Sequence, residues 1–204
     1  NHVWENYYED IPENIIVEEK KQNIVNIISQ ISPQTVLDIG ANTGCFSIEA
    51  AKYGASVIAM DSNEACMERL YQLAKSQHLN ILPLVVDILC PTPSFGFMSE
   101  QYPSIFDRIE QCDLVFCLGL MHHLHIAGRQ SFVRIAKLLA KVSKKYLILE
   151  YVDKTDANNA RIESNRVIEY TIEIVIEALS EFFKEFSFYP SDRSTRKLIL
   201  CKRK

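Results

Sequence analysis

The sequence predicts an α/β fold, with a doubly wound, mostly parallel sheet of seven strands, helices on both faces and an antiparallel hairpin at the C-terminal edge. Short β-branched apolar segments alternate with segments of helical periodicity, a pattern that implies right-handed crossovers between parallel strands. The 204 residues contain no repeat, low-complexity run or Gly/Ser linker, and they suffice for one compact domain. We therefore expect a single domain over 1–204, with 1–33 as an N-terminal helical and aromatic cap.

The first half of the chain predicts three strand-helix steps. Apolar residues at helical spacing indicate a helix over 18–30, which the Ser32-Pro33 step closes. Gly54 ends the second helix, and Pro83 weakens the start of the third strand. The predicted strands are 35–39, 56–60 and 81–86, the turn is 40–44, and the next helices are 45–53 and 63–77.

The second half begins with an irregular segment. Residues 90–111 contain three prolines and a glycine among aromatic residues, which favours an irregular cap over a long helix, and we interpret this segment as a candidate substrate lid. The last two predicted strands are close enough in sequence to pair as an antiparallel hairpin. The predicted strands are 113–117, 146–152, 186–189 and 197–201, and the helices are 130–141 and 171–185.

Composition excludes several classes of protein. A hydrophobic fraction of 48%, a charged fraction of 24% and a mean hydropathy of -0.04 indicate a chain that folds in water, neither disordered nor membrane-embedded. The net charge of -4 argues against a general nucleic-acid binder.

Six cysteines without a C-x-x-C pair favour a reducing, cytoplasmic location. The start at Asn1 has no signal-peptide features, so we expect a processed product or an excised domain.

A candidate ligand-binding motif begins at the end of the first predicted strand. Two of only six glycines, Gly40 and Gly44, occur in the segment Asp38 to Gly44, which reads D-x-G-x-x-x-G. A dinucleotide loop would read G-x-G-x-x-G, and its middle glycine is missing here. The acid before the turn suits a ligand with an ammonium or sulfonium group, such as S-adenosylmethionine.

Two further acids fit the same ligand. Asp61 follows Asp38 by 23 residues, where doubly wound folds place a carboxylate on ribose hydroxyls, and Asp87 follows the third strand, where it can accept from an adenine amino group. All three acids fall at the carboxyl ends of strands, where open α/β sheets bind ligands.

With these motifs the sequence resembles the class I S-adenosylmethionine-dependent methyltransferases over roughly residues 34–152. The first motif is Val36 to Gly44, and the second is Ala59-Met60-Asp61. The resemblance implies that the first loop wraps the methionine part of the cofactor, the second acid binds ribose and the third acid contacts adenine. The implied cofactor-binding residues are Asp38, Gly40, Asn42, Gly44, Asp61, Ser62, Asp87, Ile88 and Leu118.

A narrower resemblance involves Trp4-Glu5-Asn6-Tyr7 and Met121-His122-His123-Leu124. These segments look like those of a group of bacterial methyltransferase domains whose substrates are mostly unassigned, some of them attached to other domains. Related His-His-containing methyltransferases act in polysaccharide modification. The resemblance thus implies a small-molecule or saccharide-like acceptor, with other domains of a longer chain as candidate partners.

The histidines after the fourth strand are candidate catalytic residues. Methyl transfer to a hydroxyl requires removal of a proton, which an imidazole can accept. We prefer His122 over His123 as the base; the alternative is that one of them packs or caps a helix while the other faces solvent. The spacing of Cys117, His122, His123 and His125 matches no structural zinc site, so we expect no metal.

These observations predict a methyltransferase that transfers a methyl group to an oxygen nucleophile. One alternative is a nucleic-acid or protein methyltransferase that docks through a basic cluster at the C-terminus, which consists of Arg193, Arg196, Lys197, Lys202, Arg203 and Lys204. The acidic net charge makes nucleic acid unlikely as a partner. A second alternative is a non-catalytic S-adenosylmethionine-binding module of a larger protein.

Overall fold

The structure, a computed structural model, describes residues 16–156 and 169–204. Residues 1–15 of the expected N-terminal cap, including Trp4, lie outside the described residues. The helices are α1 Ile16–Ile31, α2 Cys45–Lys52, α3 Glu64–Ser76, α4 Ile105–Arg108, α5 Phe132–Val142 and α6 Ile172–Ser180. The strands are β1 Thr35–Ile39, β2 Ser56–Asp61, β3 Ile81–Val85, β4 Cys112–Cys117, β5 Ser143–Val152, β6 Phe183–Pro190 and β7 Arg196–Arg203.

The seven strands form one sheet in the order β3-β2-β1-β4-β5-β7-β6. Strands β1 to β5 run parallel to one another, and β7 runs antiparallel to both β5 and β6. The predicted fold class, including the antiparallel C-terminal hairpin, is confirmed. The strand order reverses between β1 and β4, which makes the carboxyl ends of these two strands the expected ligand-binding crevice.

The sheet is covered on both faces because successive strand residues point to opposite sides. In β1, Val36 belongs to the apolar cluster beneath α1 and α2, while Leu37 belongs to the cluster beneath α5 and α6. Strand β4 repeats the alternation with Leu114 and Val115. All four of these side chains are fully buried, so the central strands bury apolar side chains on both faces.

Three predicted boundaries in the second half of the chain are wrong by three residues or more: β5 begins at Ser143 and not at 146, and two others lie near the C-terminus. The last helix ends at Ser180 and not at 185, and β6 begins at Phe183 and not at 186. The sequence of 181–185 is compatible with a helix, but Phe183 and Lys184 pair with the far end of β7. Pairing along the sheet edge therefore overrides local helical preference.

Candidate active site

The loop between β1 and α2 is shaped by alternating left-handed residues. Gly40, Asn42 and Gly44 have φ angles of 77°, 50° and 81°. Glycine adopts this conformation without steric cost, and asparagine is among the few other residues that tolerate it. The backbone amides of Gly40 and Ala41 both donate to the carbonyl of Met60, at 2.8 and 2.9 Å, and thereby attach the loop to β2.

Asp61 fixes the same loop from the end of β2. One carboxylate oxygen accepts from the backbone amide of Asn42 at 2.8 Å, and the other accepts from the amide of Asn63 at 2.9 Å. Asn63 in turn caps α3 by accepting from the amides of Ala65 and Cys66. One carboxylate thus ties the first motif to the start of α3.

A cavity of about 660 Å³ opens at the carboxyl ends of β1, β2 and β4. Most of the predicted cofactor-binding residues line it: Gly40, Asn42, Asp61, Ser62, Asp87, Ile88 and Leu118. Asp38 and Gly44 do not line it. No residue of 90–111 lines it either, so the lid function of that segment stays a prediction.

Asp38 lies behind the loop. It is 2% exposed, and its Oδ2 accepts a hydrogen bond of 2.6 Å from the Ser47 hydroxyl in α2. Burial raises the pKa of its carboxyl to about 6, although the Ser47 hydrogen bond opposes the shift. In this conformation Asp38 joins β1 to α2 and is not part of the cavity wall.

Gly44 has a packing function. A Cβ at this position would lie 2.4 Å from Cδ1 of Leu70, which is fully buried in α3. The glycine therefore lets α3 approach the start of α2.

The two predicted catalytic histidines line the cavity together. A π-helical turn over His123–Ala127 follows directly after His122, and the two rings lie 4.2 Å apart between centroids with a 40° tilt. Such turns occur frequently at functional sites. His125 does not line the cavity, because its ring stacks on Phe132 at 3.8 Å.

His122 is the more deeply placed of the pair. It is 3% exposed, and its Nδ1 is buried with no hydrogen-bond partner among the described residues. Burial lowers the pKa of its imidazole to about 3, and the charge of Arg196 contributes in the same direction. The pKa of His123, which is half-buried, is lowered for the same two reasons. Both rings are therefore neutral near pH 7.

Three charged residues of the cavity wall were missed in the sequence: Lys20, Glu150 and Arg196. Lys20 donates to Glu150 Oε2 at 2.8 Å, across 130 residues of chain. Two signals were available for the pair. Lys20 shares a helix face with buried Ile24 and Ile27, and Glu150 interrupts the apolar run 146–152 within β5.

Arg196 shows that the C-terminal basic cluster is not a continuous surface patch. Its guanidinium is 3% exposed and makes two hydrogen bonds to Asp156, at 2.9 and 3.1 Å, and one to Asp192 at 3.4 Å. Lys202 pairs with Glu185 at 3.1 Å. Of this cluster, Arg196 therefore belongs to a buried ion-pair network and Lys202 to an exposed ion pair.

Comparison with known proteins assigns the fold to a family. The model of the family described as "Methyltransferase domain" matches residues 14–190 of the chain. This chain belongs to that methyltransferase family. The assignment confirms the methyltransferase prediction and, with it, S-adenosylmethionine as the methyl donor.

Among curated proteins, this methyltransferase is 29% identical over 167 residues to nodulation protein NoeA of Rhizobium meliloti (strain 1021). The match covers 80% of this chain and 35% of NoeA, so the chain spans about a third of that relative's length.

Two solved structures share the fold. The N-methyltransferase NodS from Bradyrhizobium japonicum WM9, in complex with S-adenosyl-L-homocysteine, has a TM-score of 0.68 at 16% identity, over 98% of this chain and 92% of that one. The magnesium protoporphyrin IX methyltransferase ChlM from Synechocystis PCC 6803, with bound S-adenosylmethionine, has a TM-score of 0.63 at 16% identity, over 98% and 89% of the two chains. At these identities the likeness establishes the fold.

Among the described residues, none of the helices has the length and apolar character that a membrane span requires.

Proposed function

We propose that this methyltransferase transfers the methyl group of S-adenosylmethionine to a hydroxyl of a small-molecule or saccharide-like acceptor. The observation that carries the proposal is a single cavity with two chemically different ends. One end contains the motif residues that suit a nucleoside, and the other contains two neutral imidazoles. Its volume of about 660 Å³ lies within the range of about 300–1,000 Å³ that is usual for ligand pockets.

The motif end has the groups that an adenosyl ligand requires. Asp61 offers carboxylate oxygens to ribose hydroxyls, and Asp87 with Ile88 offers a polar and an apolar contact to the adenine ring. When bound, the cofactor supplies an electrophilic methyl group on a sulfonium. The protein's contribution is to orient the acceptor and to remove its proton.

We assign different roles to the two histidines. A general base is most effective when its pKa is near the working pH, so a group with a pKa of about 3 accepts a proton poorly. We therefore assign proton acceptance to the less buried His123. His122 is assigned the orientation of the acceptor, through the buried Nδ1 for which the described residues provide no partner.

The first test is calorimetric binding of S-adenosylhomocysteine to the whole chain, with NAD as the negative comparison. We expect micromolar binding that weakens at least about tenfold in Asp61→Ala, because a charge-assisted hydrogen bond is worth about 1.5–3 kcal/mol. Absence of binding by the folded wild-type chain would refute the proposal.

The second test measures transfer of labelled methyl groups to panels of methyl glycosides, small alcohols, amines, peptides and RNA. We expect transfer to the hydroxyl compounds, reduced about 100-fold or more in His123→Ala with cofactor binding unchanged. Transfer to amines or to macromolecules alone would replace the proposed acceptor class. Cofactor binding without any transfer would favour a non-catalytic module.

A further inference from the structure

We propose that the buried ion pair between Lys20 and Glu150 holds the amino-acid end of the cofactor, Lys20 toward its carboxylate and Glu150 toward its ammonium. This inference rests on the proposed use of the cavity for S-adenosylmethionine. It moves the contact with the ammonium from Asp38, the residue that the motif indicates, to a residue of β5.

The first observation is the location of the charges. Asp38 is absent from the cavity wall and is engaged with Ser47, whereas Lys20 and Glu150 both line the cavity. The two side chains are 5% and 0% exposed, and their charged atoms lie 2.8 Å apart. The wall thus presents an ammonium and a carboxylate side by side, which is the charge pattern complementary to a zwitterion.

The second observation is that the pair lies between the first turn of α2 and the loop after β4. Lys20 Nζ lies 5.2 Å from the ring centroid of Phe46, in the first turn of α2, and its charge influences the carboxyl of Asp38. Glu150 Oε2 lies 3.4 Å from the point where a Cβ of Gly119 would stand. Gly119 has no side chain, so the loop after β4 places no side chain of this residue against the carboxylate, and Gly119 and Glu150 both line the cavity.

The third observation concerns the other charges on the wall. Arg196 is engaged by Asp156 and Asp192, and Asp61 is engaged by two backbone amides of the motif loop. Asp87 lies beyond β3, at the nucleoside end. Glu150 is engaged as well, by Lys20 through Oε2 and by the Ser191 hydroxyl through Oε1. Among these charges, the Lys20–Glu150 pair is the one that sets an ammonium beside a carboxylate, on the β5 side of the sheet and away from Asp87.

Two probes separate this contact from the rest of the site. S-adenosylhomocysteine and 5′-methylthioadenosine share the adenosine and the thioether, but only the former has the amino-acid end. We expect the wild-type chain to bind S-adenosylhomocysteine more tightly. In the double variant K20M/E150Q, calorimetry should show that affinity reduced at least about tenfold while the affinity for 5′-methylthioadenosine stays within about twofold.

The double variant is the decisive one, because it removes both charges. A single substitution leaves an unpaired buried charge that can unfold the chain, whereas a buried ion pair is often replaceable as a whole with little loss of stability. The control is K21M. Lys21 is the next residue of α1 but pairs with Glu49 at 3.2 Å with its side chain 39% exposed, so both affinities should stay unchanged.

Each other outcome overturns the inference. Unchanged binding of S-adenosylhomocysteine in K20M/E150Q would make the pair a structural link between α1 and β5. An equal loss for both probes would mean that the pair shapes the cavity as a whole. A wild-type chain that binds neither probe would refute the proposed function, and this inference with it.

Discussion

Single residues set the shape of the crevice through backbone conformation and hydrogen bonding. Asn42 combines a left-handed φ of 50° with an amide that donates to Asp61, so the loop is held in place without a glycine at its centre. Gly44 also has a left-handed backbone, and in addition any Cβ at this position would overlap the side chain of Leu70. Both residues act before any ligand is bound.

Replacement of Gly44 should be more costly than replacement of Gly54. Gly54 has a φ of 89° with nothing within 4 Å of an added Cβ, so Gly54→Ala should cost only the left-handed strain of about 1–2 kcal/mol. Gly44→Ala adds overlap with buried Leu70, for which overpacking costs about 1–3 kcal/mol more. Urea unfolding of the two variants measures the difference. Equal losses would contradict the packing role of Gly44.

His122 should make stability dependent on pH. Its pKa of about 3 in the folded chain lies below its ordinary value of 6.5, so the unfolded chain binds the proton more readily between these values. The contribution of His122 to the free energy of unfolding is nearly constant above about pH 6.5. It decreases as the pH falls toward 3, and the loss at pH 5 is about 2 kcal/mol.

Urea unfolding at pH 7 and pH 5 tests this expectation with His122→Asn, which does not titrate in this range. Between pH 7 and pH 5, the free energy of unfolding of the variant should fall by about 2 kcal/mol less than that of the wild type. Replacement of the exposed His78 by Asn serves as the surface control. A pH dependence that is the same in the wild type and His122→Asn would contradict the effect of burial on this imidazole.

At the scale of elements, helix ends and turns carry the motifs. The π-helical turn brings the two imidazoles onto one wall, an arrangement that the spacing of adjacent residues does not indicate. The predicted helix 63–77 included Asn63, which the structure places as the N-cap of α3; asparagine before a helical run is a standard N-terminal signal that could have located this cap. Periodicity thus locates helices, while the path of the loop after β4 depends on its neighbours.

The cap of α3 should contribute measurably to stability. Asn63 Oδ1 accepts from the amides of Ala65 and Cys66 at 3.0 and 3.2 Å, and Asn63→Ala leaves both amides without this acceptor. We expect a loss of about 1 kcal/mol in the free energy of unfolding for Asn63→Ala, and little change for Asn63→Asp, because Asp caps a helix about as well as Asn. Thermal or urea unfolding of both variants tests the cap, and equal destabilisation by Ala and Asp would contradict it.

At the scale of the whole molecule, strand order makes the crevice. Chain segments far apart in sequence meet there because β1 and β4 are neighbours where the winding reverses, and because α1 packs on the sheet with Lys20 against Glu150 of β5. Ligand binding should therefore stabilise the fold as a unit.

S-adenosylhomocysteine at about 100 times its dissociation constant should stabilise the folded chain by about 2.7 kcal/mol. For a domain of this size the midpoint of thermal unfolding should rise by roughly 5–10 °C. Scanning calorimetry with and without the ligand measures the shift, and NAD at the same concentration should leave the midpoint unchanged. A shift with NAD of similar size would indicate binding without selectivity for the adenosyl thioether.

The sequence by itself determined the fold class, because strand and helix periodicities are local properties. It also determined the motif loop and the acids after β2 and β3, since these residues follow their strands directly. Only the tertiary structure decided that Asp38 lies behind the loop, that both histidines face one cavity, and that Lys20, Glu150 and Arg196 are buried in or beside its wall. These contacts join residues up to 130 positions apart, and their formation depends on how helices pack on the sheet, which no local pattern encodes.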